Sequence, residues 1–179
     1  MSNNIVLVGL PCCGKTTLGK IVAEKLSMNF IDIDQLVIEN NPIRETDLSI
    51  LNAIRRVPMV EHEIVRNLKN ETQPALVATG ADTLNEWENT ENLRKFGLVI
   101  YIKRDRNLLL EKAKERFPFV STSDDGEKED ASGLIFSQYE KTVYLYENAA
   151  DVSFVNEGTI EESAEKLINL IAQHSNKNL

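Results

Sequence analysis

The apolar run Ile5-Val6-Leu7-Val8 leads directly into Gly9-Leu10-Pro11-Cys12-Cys13-Gly14-Lys15-Thr16, after which Leu18, Ile21, Val22 and Leu26 recur at helical spacing. A strand, a glycine-bounded turn and a helix in that order leave few architectures open. A short continuous apolar run rich in β-branched residues suits a parallel strand buried on both faces. The turn matches G-x-x-x-x-G-K-[ST], a phosphate-binding loop. Gly9 and Gly14 permit backbone angles that turn successive N–H groups inward around an anion. The helix starting near Lys15 aims its positive dipole end at the same place. Lys15 then supplies a full charge to the β- and γ-phosphates of a nucleotide, and the Thr16 hydroxyl is a ligand for Mg2+. Thr17 offers a further phosphate contact, with Cys12, Cys13 and Gly14 forming the body of the loop. A plain strand-to-helix turn explains the glycines but leaves the lysine and threonine unexplained.

The same strand-then-helix order repeats. A second strand is expected over Asn29–Ile33, then helices over about Gln35–Asn40, Asp47–Arg56 and Met59–Leu68, with Pro42 and Pro58 as breaks. Ala75–Ala78 reads as a third strand, Leu98–Ile102 as a fourth with a helix over Arg106–Glu115 behind it, and Asp151–Val155 as a fifth. A final helix opens on a capping box, Thr159-x-x-Glu162, and carries an apolar face of Ile160, Ala164, Leu167, Ile168 and Ile171. Alternating βα units predict a three-layer α/β/α domain around a five-stranded parallel sheet, with residues 1–179 as one unit. One stretch departs from the pattern. Between Val120 and Ala131 there is no apolar residue, so 116–132 is either a solvated loop or a lid that orders over a ligand.

Charge narrows the partners. The chain has 28 acidic and 20 basic residues, a net charge of −8, which argues against a nucleic-acid surface. No apolar run approaches the roughly 20 residues that span a bilayer, and Met1-Ser2-Asn3-Asn4 lacks a leader's charge and core. Cys12 and Cys13 are adjacent and give no disulfide framework, which points to a reducing cytoplasm. They are either thiols activated by a helix N-terminus or small spacers in the loop.

A second constellation, Asp32-Ile33-Asp34, falls at the end of the second strand. Ligands of parallel sheets sit at the carboxyl ends of strands, and alternation along a strand would send both carboxylates to one side. Asp32 near Mg2+ and Asp34 near an acceptor hydroxyl is a workable division of labour for phosphoryl transfer.

With both motifs placed, the sequence resembles the shikimate kinase family of P-loop small-molecule kinases. The likeness extends through Phe30-Ile31-Asp32-Ile33-Asp34, Val60-Glu61…Ile64-Val65-Arg66 and Leu145-Tyr146-Glu147. It implies ATP-dependent phosphorylation of a small hydroxyl acid, with Mg2+ and a mobile lid. It also implies that Asp34 binds the acceptor and takes its proton, that Asp32 holds the Mg2+ water shell, and that the helices of about 34–70 bind the acceptor. The departures lie on the acceptor side. The family's Phe-Arg pair falls on Val57 and Pro58, its Gly-Gly-Gly reads Thr79-Gly80-Ala81 with only Gly80 matching, and its second substrate arginine falls on Thr142. Arg55 and Arg56 either substitute for the missing arginines, if the local backbone shifts, or form a solvated helix end. On the donor side Arg116, displaced by one residue from the family's lid arginine, screens the transferring phosphoryl group, and Lys112 stands where an arginine stacks adenine. Three readings follow: a shikimate kinase with an altered pocket, a kinase of the same fold acting on another small acceptor, or a nucleotide-binding regulatory protein without transfer. A monomer is the default for this fold. His62 reads as a solvated or pocket-edge residue, and Trp87 and Phe96 as packing.

Overall fold

Along the chain, a computed structural model gives β1 (Ile5–Val8), α1 (Lys15–Lys25), β2 (Asn29–Asp32), α2 (Ile33–Asn40), α3 (Ile50–Asn67), β3 (Ala75–Ala78), α4 (Trp87–Phe96), β4 (Leu98–Lys103) and α5 (Arg106–Arg116). There follow β5 (Val120–Ser121), β6 (Lys128–Glu129), the helical residues 141–149 (α6), β7 (Val152–Val155) and α7 (Ile160–Ser175). The structure describes residues 4–40, 50–116, 120–121, 128–129 and 141–175, and for 50–56, 116, 120–121, 128–129 and 175 the backbone alone.

The five longer strands form one sheet in the order β2-β3-β1-β4-β7, all parallel, as the apolar runs predict. β1 and β3 are buried along their whole length, which is why their sequences are unbroken apolar runs rather than alternating ones. From β1 the chain crosses towards β2, and from β3 it crosses the other way to β4. Right-handed crossovers therefore put α1 and α4 on opposite faces. The two crossings diverge between β1 and β3, and the carboxyl ends of those strands open into the crevice where open α/β sheets bind ligands. Both the glycine loop after β1 and Thr79-Gly80 after β3 emerge there. At the far edge the capping box of α7 forms as read. The Glu162 carboxylate accepts from the Thr159 backbone N–H at 3.0 Å and the Thr159 hydroxyl from the Glu162 N–H at 3.3 Å. Those two bonds, the backbone one first, hold the Glu162 carboxyl below the usual carboxylate range.

Three expectations are corrected. β2 ends at Asp32, and Asp34 lies in the first turn of α2 rather than on a strand. Asp32 itself drives the switch, because its Oδ1 accepts the Gln35 N–H at 3.3 Å in the manner of a helix cap. Pro58 does not divide two helices but sits inside α3. Its ring is exposed, while Glu61, Val65 and the half-buried Val60 and Ile64 tie the helix to the core, and that packing outweighs one missing backbone hydrogen bond. Trp87 is 74% exposed, because the buried positions of α4 are Asn89, Leu93 and Phe96 and Trp87 faces away from them. Within the polar stretch, Val120 pairs with Glu129 and Ser121 with Lys128 in an antiparallel ladder, which needs no apolar side chains to satisfy its backbone groups. The rest of the expected lid, 117–119, 122–127 and 130–132, lies outside the described residues. Among the described residues no helix is long and apolar enough to cross a membrane.

Candidate active site

The loop between β1 and α1 is shaped by its backbone. Gly9 has φ 146° and packs so closely on β4 that a Cβ there would lie 2.7 Å from the Ile102 carbonyl oxygen. Gly14 has φ 104° and caps α1, and Cys12, unusually for a side-chain-bearing residue, sits at φ 62°. Lys15 is 8% exposed, and its ammonium donates to the Gly9 and Leu10 carbonyls at 2.7 and 2.9 Å, with the Cys13 sulfur at 3.9 Å. Asn156, the first residue after β7, clamps the loop from the side by donating from Nδ2 to the Cys13 carbonyl at 2.8 Å. A Cβ on Gly14 would approach that amide to 2.5 Å, so the second glycine is required by contact as well as by conformation.

Across the crevice, the Thr16 hydroxyl donates to Asp32 Oδ2 at 2.8 Å. A hydroxyl and a carboxylate side by side at a phosphate loop suit Mg2+, a hard cation that takes one or two protein oxygens and completes its shell with phosphate and water. Among the described residues no group of three or more His, Cys, Asp or Glu forms a dedicated metal cage.

One cavity of about 1390 Å³ runs from this loop to the space between α2 and α3. Lys15, Thr16, Thr17, Lys112 and Asn156 line the loop end, and Asp34, Glu61, Gly80 and Asp82 line the other. Asp34 therefore reaches the same cavity as Asp32, from a helix rather than along a strand. Gly80 stands at the centre of the second group: a Cβ there would meet Asp34 Oδ1 at 2.5 Å, Glu61 Oε1 at 3.0 Å and Thr83 Oγ1 at 3.1 Å. Glu61 is 8% exposed and accepts from the Thr83 hydroxyl. Its carboxyl is pushed above the ordinary glutamate value, first by burial and then by the charges of Asp34, Asp82 and Glu86, against the lowering effect of the Thr83 bond.

The family model for shikimate kinase matches residues 11–172. The chain is 30% identical over 176 residues to the shikimate kinase of Thermodesulfovibrio yellowstonii, covering 97% of each, and 28% identical over 169 residues to that of Alkaliphilus oremlandii, covering 94% of this chain and 98% of the relative. The chain belongs to the shikimate kinase family. Its fold matches a shikimate kinase from Acinetobacter baumannii solved in complex with shikimate, with a TM-score of 0.81 at 22% identity over 97% of this chain and 95% of that one. A gluconokinase from Sinorhizobium meliloti is more distant, at a TM-score of 0.55 and 15% identity over 97% and 94%.

As a member of the shikimate kinase family the protein is an ATP-dependent small-molecule kinase with an alcohol group as acceptor. The positions that depart from the family are structurally distinct. Thr142 is 5% exposed and hydrogen-bonds Tyr146, whose hydroxyl donates to the Ala81 carbonyl at 2.7 Å. Burial, the largest cause, pushes the Tyr146 phenol up to about 12, so it stays a neutral donor that pins the turn after Gly80. Val57 lines the cavity and Pro58 does not. Arg55 and Arg56 lie in α3 and Arg116 ends α5, but their side chains lie outside the described residues. Lys112 reaches the cavity while paired with Glu115 at 2.6 Å. His62, neither purely solvated nor at the cavity wall, joins α3 to α4 through Asn89 at 2.9 Å and Glu88 at 3.6 Å. Sequence reasoning did not single out Asn156, Arg104 or Thr83 as site residues. For the first two a signal existed, since each directly follows a strand at the carboxyl edge of the sheet.

Proposed function

We propose that this kinase transfers the γ-phosphoryl group of ATP, with Mg2+, to a hydroxyl of a small acceptor seated over Asp34. The observation that carries the reading is one continuous cavity, lined by Thr16 and Asp32 in contact, by Lys15, and by the cluster of Asp34, Glu61 and Gly80. Lys15, the loop amides and Arg116 neutralise charge on the phosphate chain. Held by Thr16 and Asp32 directly or through water, Mg2+ supplies the remaining positive charge to the phosphate oxygens. Asp34 orients the acceptor hydroxyl and takes its proton as that oxygen bonds to the γ-phosphorus and ADP leaves. Lys112 contacts the nucleotide base, Cys12, Cys13, Gly14 and Thr17 the phosphates, and Gly80 the acceptor. In this reading residues 1–179 act as one monomeric domain in the cytoplasm, with 116–132 as its lid.

Shikimate is the first acceptor to test, because the curated relatives are shikimate kinases. A second acceptor is favoured by one observation: Thr142, where the family's second substrate arginine falls, is buried and bonded to Tyr146, while Asp34, Glu61 and Asp82 line the acceptor end. Coupled ADP release with shikimate, gluconate, nucleoside monophosphates or no acceptor separates the two. Shikimate-stimulated turnover supports the first and turnover of another hydroxyl compound alone supports the second. ATP binding with no acceptor-stimulated ADP across the panel would overturn transfer.

A further inference from the structure

Arg104 is the first residue beyond β4 and leaves the sheet between two elements that touch the phosphate loop. On one side β4 pairs with β1, Tyr101 opposite Val8, and the Ile102 carbonyl abuts Gly9. On the other, the Asn156 N–H donates to the Lys103 carbonyl at 2.7 Å while its side chain holds the Cys13 carbonyl. Arg104 lines the cavity together with Cys12, Lys15 and Lys112.

Among the described residues the guanidinium has no ion-pair partner. Arg104 Nε is shut off from water and has no hydrogen-bond partner. The neighbouring cations are already paired, Lys103 with Glu147 at 3.2 Å and Lys112 with Glu115 at 2.6 Å. Asp105, the adjacent carboxylate, accepts from the Asn107 and Leu108 N–H groups at 2.9 and 3.2 Å and caps α5 instead. The ion pairs among the described residues leave Arg104 out. A buried donor without an acceptor is costly, and an arginine fork suits phosphate oxygens in particular.

We propose that Arg104 binds the phosphate chain of the nucleotide. The sheet order places it across the loop from Thr16 and Asp32, since β4 and β2 lie on opposite sides of β1. The phosphates are thereby held between the metal-binding pair on one flank and a guanidinium on the other. Because Arg104 is on the flank away from Asp34, it acts on ATP and ADP alike rather than on the acceptor. The inference rests on the assignment of this cavity to the nucleotide.

The test is calorimetric titration of the full chain with ATP, ADP and adenosine in excess Mg2+, for wild type, Arg104→Met, Arg104→Lys and Lys15→Met. Loss of a charge-assisted contact should weaken ATP and ADP by roughly ten- to a hundredfold in Arg104→Met and leave adenosine unchanged. Arg104→Lys, which keeps the stem and charge but not the fork, should fall between Arg104→Met and wild type. It also carries the test if Arg104→Met does not fold. Unchanged ATP affinity in the Arg104 variants, or an equal loss for adenosine, overturns the proposal. If Lys15→Met also binds ATP as wild type does, the nucleotide assignment of the cavity fails instead.

Discussion

Replacing Gly80 with alanine adds one methyl group at the point where three acceptor-side groups converge. That methyl would sit 2.5 Å from Asp34 Oδ1, 3.0 Å from Glu61 Oε1 and 3.1 Å from Thr83 Oγ1, against the 3.4 Å at which ordinary contact begins. Asp34 must retreat by roughly an ångström and the other two by a few tenths. Glu61 and Thr83 are buried and bonded to each other, so Asp34, in the first turn of α2, takes most of the displacement. A misplacement of about 1 Å in a positioning group costs on the order of a hundredfold in rate, or ~2.7 kcal/mol of activation free energy. The overpacking itself costs about 1 kcal/mol, the low end for such changes, and lowers the melting temperature by roughly 2–4 °C. ATP affinity should be unchanged, because the methyl faces α2 and α3 rather than the phosphate loop. The assay is coupled ADP release with the acceptor that stimulates turnover, alongside calorimetric ATP binding and thermal melts. Gly80→Ala retaining kcat within twofold would refute the argument, as would a matching loss of ATP affinity.

Three further outcomes are expected. Asp34→Asn removes the proposed proton acceptor and should lower acceptor-stimulated kcat by roughly 10²- to 10⁴-fold with ATP affinity intact, and near-normal turnover would refute that role. Because Glu61 has a raised folded-state value, the native protein binds more protons there than the unfolded chain. The stability this contributes is complete below the ordinary glutamate value and is lost as pH rises through the raised one. Glu61→Gln should therefore flatten the fall in urea midpoint across that window, and an identical slope in both proteins would count against it. Thr159→Ala breaks one half of the α7 capping box and should cost about 1 kcal/mol by urea denaturation, whereas an unchanged midpoint would mean the helix end is held by packing alone.

The parts of the site that were legible in the sequence are those built by contiguous residues. The strand, loop and helix around Lys15 and the box at Thr159 each draw their hydrogen bonds from a few neighbouring residues, so their spacing states their geometry. Asp34 lines the same cavity as Asp32, but from a helix rather than from the strand that alternation implied. The end of β2 depends on Asp32 bonding the Gln35 N–H, and a local pattern does not say whether strand pairing or helix capping wins. The break expected at Pro58 failed for a related reason, since burial of Glu61 and Val65 against the core outweighs a local helix penalty.

The sequence alone thus determined that a phosphate loop stands between a buried strand and a helix, and that the chain is a parallel α/β domain. Only the tertiary structure decided what surrounds that loop. Asn156 meets Cys13 across 143 residues, Thr83 meets Glu61 across 22, and the Ile102 carbonyl comes against Gly9 because β4 pairs with β1. Such contacts depend on strand order, which no local periodicity encodes, and their energy comes from burial that exists only once the sheet has assembled.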